Sequence, residues 1–162
     1  MRLILFCLMV VLAPAAWAAE RVALVIGVAD YSTIPSLQNT VNDARALSAA
    51  LDEIGFEVTT LINPGQARTH ETLAQFAFEA ETADLALIYF AGHGVEVQGQ
   101  NFLIPADAEV RSNADIQKVA LSLDDFLGAV DKARKMRIVI LDSCRDNPFG
   151  DFIDLSLTLT GA

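Results

Sequence analysis

His93 and Cys144 are the two side chains of this sequence whose types and surroundings suit covalent chemistry. His93 stands in "IYFAGHG", residues 88–94, where an apolar run ends between two glycines. Cys144 stands in "VILDSCRDN", residues 139–147, where a second apolar run ends just behind an aspartate. A thiol is mostly protonated at neutral pH, and the thiolate is the nucleophile. A nearby imidazole takes that proton, or as a cation stabilises the thiolate. The pair therefore suits attack on an acyl carbon, provided that two ends about fifty residues apart in the chain meet in space. Gly92 and Gly94 remove side chains from around His93 and let a substrate backbone approach closely. A tetrahedral oxyanion needs N–H donors, for which the amides of Gly94 and Cys144 are the candidates. The second histidine, His70, lies beside Glu71 and reads as a solvated surface residue.

The elements that must position this pair alternate along the chain. "RVALVIGV" (Arg21 to Val28) is a continuous apolar run rich in valine, as in a buried strand. In "TVNDARALSAALDEIGF" the positions Val41, Ala44, Leu47, Leu51 and Ile54 recur at helical spacing, and Gly55 stops the helix. "FEVTTLI" reads as a second strand, "TLAQFAFEAET" as a second helix opened near Thr69, and "DLALIYF" as a third strand. "VEVQGQNFLI" (Val95 to Ile104) reads as a β-hairpin around Gly99. "SLDDFLGAVDKARK" predicts a helix with Ser122 as N-cap, Asp125 three residues on and basic residues crowding its end. "RIVILD" reads as a fourth strand, and the tail after Pro148 has no clear element. Such alternation implies a mostly parallel sheet with right-handed crossovers and helices on both faces. Ligands bind beyond the carboxyl ends of such strands. His93 and Cys144 both follow strand ends, so they share one rim, together with Asp30 and Tyr31 past the first strand.

Bulk properties bound the remaining choices. The chain has 162 residues, 53% of them hydrophobic and 20% charged, enough for one domain with a real core. The formal net charge of -10 speaks against nucleic acid, whose phosphates need a basic face. "MRLILFCLMVVLAPAAWAAE" opens with Arg2, continues with an apolar segment too short to span a bilayer, and offers Ala16 to Ala18 as a cleavage site. Residues 1–18 are expected to be a signal peptide, and residues 19–162 the exported domain, periplasmic or extracellular and free of the membrane once the leader is cut. The alternative is an uncleaved anchor. Cys7 leaves with the leader, so Cys144 remains as a lone thiol, either an inert buried cysteine or a nucleophile. With no resolving cysteine, a redox role is the weakest reading.

The acids near the rim carry the question of specificity. Residues two apart on a strand point the same way, so Asp142 and Cys144 project to one side if the strand geometry persists. A carboxylate there opposes thiol ionisation and is more useful in binding a basic substrate side chain. Asp43, in the first turn of the helix after the first strand, stands at the same rim. Thr40 to Asp43 also has capping-box spacing, so Asp43 serves the cap, the pocket or both.

The stretches "ALVIGVADY", "LQNTVNDARAL", "LIYFAGHGVEVQGQNFLIPAD" and "VILDSCRDNPF", in this order, resemble the large-subunit region of the caspase-like cysteine peptidases, especially bacterial relatives of metacaspases and paracaspases. The histidine-to-cysteine spacing agrees. The resemblance implies an α/β, caspase-like three-layer fold with a mostly parallel sheet flanked by helices. It implies a cysteine endopeptidase with His93 and Cys144 as its dyad, acting on peptide or protein substrates after arginine or lysine, with Asp43 and Asp142 matching the specificity-pocket acids. No cofactor is required. Some metacaspases bind calcium, and Asp124 and Asp125 in "LDDF" are weak calcium candidates; an acid-rich helix start explains them equally. Two departures stand out. "IGVADY" replaces the usual asparagine-containing turn, changing a rim loop and not the dyad. The family domain also continues beyond the cysteine strand, whereas "DFIDLSLTLTGA" does not resemble that continuation. The expectation is a domain truncated after the cysteine strand: a fragment, a large subunit needing a C-terminal partner chain, or an inactive relative serving as an interaction module. A thiol hydrolase acting on a small ester or amide is a further alternative.

Overall fold

The computed structural model describes residues 20–143 and 148–149. The chain runs β1 (Arg21–Gly27), α1 (Thr40–Glu53), β2 (Glu57–Ile62), α2 (Gln66–Ala80) and β3 (Leu85–Ala91). It continues through β4 (Gly94–Val97), β5 (Gln100–Leu103), α3 (Asn113–Val119), β6 (Leu121–Ser122), α4 (Leu123–Val130) and β7 (Met136–Asp142). Four strands form one parallel sheet in the order β2-β1-β3-β7. β4, β5 and β6 form a separate antiparallel sheet. The result is the α/β architecture expected from the alternating pattern.

Three layers follow from which face each side chain takes. Alternate residues of a strand point to opposite faces. Leu24, Ile26, Ile88 and Phe90 thus meet Leu73, Phe76, Phe126 and Val130 from α2 and α4. Ala23, Val25, Leu87 and Tyr89 meet Ala44 and Leu51 of α1 on the other face. Phe76, Phe90 and Phe126 are fully buried, each contributing about 1.5–3 kcal/mol by leaving water. A third cluster, with Val95, Phe102, Ile104 and Ile116, lies under the hairpin and α3. The hairpin turns at Gln98 and Gly99, both with positive φ (53° and 77°), which suits the twist of a two-residue connection.

Several boundaries differ from the sequence reading, each because of a remote contact. α2 opens at Gln66 and not near Thr69, because the Asp107 carboxylate reaches from another loop to accept from the Gln66 N–H at 2.8 Å. α4 is shorter than expected. Past it the N–H groups of Arg134, Lys135 and Met136 donate to the carbonyls of Ala83 and Asp84, and Lys132 and Lys135 pair with Glu81 and Asp84. The basic run therefore ties the chain to the end of α2 and leads it into β7. Ser122 does cap α4, accepting from the Asp124 N–H at 3.2 Å. α3 and β6 carried no recognisable period, being only seven and two residues long.

β7 is one border strand of the parallel sheet, β2 being the other. β3 covers one side of β7, and among the described residues nothing pairs with the other side. Met136, Ile140 and Leu141 are 53%, 42% and 38% exposed, which is unusual for apolar residues of a parallel strand.

Candidate active site

The strand ends meet as the topology requires. β3 and β7 are neighbours, with Ala91 opposite Asp142, and the Gly92 N–H donates to the Asp142 carbonyl at 3.2 Å. Past those ends Gly94 lies against Ser143. A Cβ built on Gly94 would come within 3.1 Å of the Ser143 Oγ. Cys144 is the next residue and lies outside the described residues, as do residues 1–18, the expected leader.

His93 is held from two directions by the loop after β1. The Pro35 carbonyl lies 2.9 Å from the imidazole Nε2. A carbonyl only accepts, so Nε2 carries the proton, and a neutral ring leaves Nδ1 free to act as a base. The His93 backbone N–H donates to the Tyr31 hydroxyl at 2.8 Å. The two rings lie 4.8 Å apart at 50°. Burial pushes the Tyr31 phenol well above its ordinary range, so it stays protonated. The "IGVADY" loop thus does more than reshape the rim: it grips His93. The reason is spatial: β1 and β3 are neighbours, so the loop after β1 opens beside His93.

The flanking glycines have steric reasons. A Cβ on Gly92 would sit 2.7 Å from the Tyr31 hydroxyl and 2.9 Å from two ring carbons of Phe90. Gly94 opens β4 and approaches Ser143.

A hollow of about 440 Å³ lies at this rim, lined by Leu37, Thr40, Asp43, His93, Asp142 and Pro148, among others. Asp43 faces it, and of the two roles left open for this acid the capping box does not form. Thr40 spends its hydroxyl on the Val28 carbonyl at 2.8 Å, and α1 has no side-chain cap. Asp142 accepts from the Tyr89 hydroxyl at 3.1 Å. Burial first, then the charges of Asp142 and Asp43 and the bond to Asp142, push the Tyr89 phenol up to about 12. Both carboxylates thus act on the Tyr89 phenol, which packs on the α1 face of the sheet behind the hollow. The sequence reading missed Tyr89; its signal was the strand alternation that puts it on the α1 face beside Asp142.

The weaker candidates lie elsewhere. Asp124 and Asp125 are exposed in the first turn of α4, where the dipole favours acids. Among the described residues no group of three His, Cys, Asp or Glu side chains is placed to hold a metal ion. Nor is any described helix long and apolar enough to cross a membrane. His70 is exposed on α2, as expected. A second hollow of about 510 Å³ between β2 and α2 contains Arg68, Glu71, Gln75 and Glu79. These polar groups pair with one another, Arg68 with Glu71 and Gln75 with Glu79. It offers no nucleophile.

Comparison with known proteins points the same way. Residues 20–158 match the model of the caspase domain. Human mucosa-associated lymphoid tissue lymphoma translocation protein 1 is 28% identical over 140 residues, covering 85% of this chain and 17% of that protein. The mouse homologue is also 28% identical, covering 85% of this chain and 16% of the relative. Among solved structures, protein GSU0716 from Geobacter sulfurreducens superposes with a TM-score of 0.59 at 22% identity, over 77% of this chain and 50% of the other. The chain thus spans less than a fifth of the curated relatives it matches.

Proposed function

Since this chain belongs to the caspase-domain family, whose members are generally cysteine peptidases, we propose that it is a cysteine endopeptidase using His93 and Cys144 to cleave after arginine or lysine. The observation that carries this reading is the shared rim: His93, Asp43 and Asp142 line one hollow beyond the ends of β3 and β7. Cys144 follows Asp142 by two residues in the sequence. The chemistry follows in order. His93 Nδ1 takes the thiol proton, and the thiolate of Cys144 attacks the carbonyl carbon of the scissile amide. The amides of Gly94 and Cys144 donate to the oxyanion. The imidazolium returns its proton to the departing amine as the C–N bond breaks. Water, deprotonated by the same imidazole, then hydrolyses the thioester and restores the thiol. Asp43 and Asp142 neutralise the substrate's basic side chain, and Tyr89 orients the second of them.

A thiol-reactive peptide ending in arginine tests this directly. Wild type is expected to be labelled at Cys144, and Cys144→Ala to be inert. Persistent labelling of that variant would remove Cys144 as the nucleophile. The uncovered border of β7 supports a second reading, an interaction module that binds a partner chain by strand addition. Partner binding that survives replacement of both dyad residues, without turnover, would favour it.

A further inference from the structure

We propose that Tyr31 is a positioning residue for His93: its hydroxyl anchors the histidine backbone and its ring sets the plane of the imidazole. The proposal rests on His93 being the base of the reading above. The hydroxyl stands between two backbone groups, accepting from the His93 N–H at 2.8 Å and donating to the Val28 carbonyl at 3.3 Å. The tyrosine ring lies against the imidazole at 4.8 Å, restricting rotation about the histidine side-chain bonds. Its depressed acidity keeps the phenol neutral, so it can donate and accept at once. The absence of a side chain at Gly92 is what lets the hydroxyl come so close.

Tyr31 is itself rigidly placed. Its loop is closed at the base by the Leu37 N–H donating to the Ala29 carbonyl at 2.9 Å. The Asn63 side chain, past the end of β2, accepts from the N–H groups of Ala29 and Asp30 at 2.7 and 3.1 Å and donates to the Asp30 carboxylate at 2.7 Å. Asn63 adopts a left-handed backbone (φ 48°) to do so. On the far side Ser32 and Thr33 donate to the carbonyls of Ala106 and Ala108. The histidine is therefore steered by a tyrosine that three separate segments hold still. The same loop sets the ring's tautomer through Pro35 and its plane through Tyr31. Misplacing a reacting group by about 1 Å costs on the order of a hundredfold in rate, so loss of this hold is expected to show in the chemical step.

The experiment uses the full chain with ¹⁵N-labelled histidine; with only two histidines, a His70→Gln variant assigns the ring signals. In wild type, nuclear Overhauser contacts between the Tyr31 ring and the His93 ring protons are expected, with the proton on Nε2. Tyr31→Phe keeps the ring but frees the His93 backbone, so the imidazole is expected to leave its fixed place against the Pro35 carbonyl and show mixed tautomers. The first-order rate of Cys144 labelling should fall about tenfold or more, with little change in the concentration giving half-maximal rate. Absence of those ring contacts in wild type overturns the proposal without any variant. So does a Tyr31→Phe protein with unchanged tautomer and labelling rate. The histidine spectra decide the matter even if Cys144 proves not to be the nucleophile, so the two readings fail separately.

Discussion

Replacing Gly92 by alanine probes the closest packing at the site. The new methyl carbon would stand 2.7 Å from the Tyr31 hydroxyl and 2.9 Å from Cε1 and Cζ of Phe90. Ordinary contact begins near 3.5 Å, so both neighbours are too close by about 0.6–0.8 Å. Neither can withdraw easily. Phe90 is fully buried and packs edge-on against Phe126, ring centres 6.1 Å apart. The Tyr31 hydroxyl is tied to Val28 and His93. Overpacking of this kind costs about 1–3 kcal/mol. Alanine recovers about 0.4–1 kcal/mol by restricting the unfolded chain. A net loss of about 0.5–2 kcal/mol remains, lowering the melting temperature by roughly 1–8 °C for a domain of this size. Chemical denaturation of Gly92→Ala, Tyr31→Phe and the double variant measures it. Removing the hydroxyl takes away the nearer obstacle and leaves Phe90, so the double variant should be more stable than the two single losses sum to. A Gly92→Ala protein as stable as wild type would refute the close approach of Tyr31, and with it the account of how His93 is held.

Two further outcomes follow from the pocket. Asp142→Asn and Asp43→Asn should each lower kcat/KM for arginyl and lysyl peptides, and less so for neutral ones. A charge-assisted bond is worth about 1.5–3 kcal/mol, or roughly ten- to a hundredfold; equal losses on all substrates would remove the specificity role. Absorbance at 295 nm should show no phenolate step near pH 10 in the folded protein, with Tyr89 ionising near pH 12 and Tyr31 above its ordinary range. Because both folded pKa values are raised, the unfolded chain ionises first. Stability is fully present below about pH 10 and declines as pH rises toward the folded values. Stability rising through that window would contradict the burial of the two phenols.

The parallel sheet was legible because each strand is buried on both faces and so reads as an unbroken apolar run, as in "VALVIG" and "LALIYF". From that, the common rim of His93, Asp43 and Asp142 followed by topology alone. Contacts that cross the chain were not legible. The Asp107 carboxylate that starts α2, the Thr40 hydroxyl that bonds Val28 instead of capping α1, and the bonding of residues 134–136 to Ala83 and Asp84 all join residues remote in sequence or settle between two equally good local options. The grip of Tyr31 and Pro35 on His93 is of this kind. Sequence spacing located the loop at the rim, and only the coordinates show which neighbour it touches.

The two sides of the pocket are rooted in strands of unequal protection. β3 is flanked by β1 and β7, whereas β7 is bonded on one side only among the described residues. Amide exchange with solvent should be slowest beneath the imidazole and much faster beneath Asp142. Transient fraying of that border strand would then carry away Asp142, the carboxylate proposed to read the substrate, while His93, the proposed base, keeps its place. Anything that clamps that strand, whether a bound peptide or a neighbouring strand, would restore recognition without touching the proton-transfer apparatus.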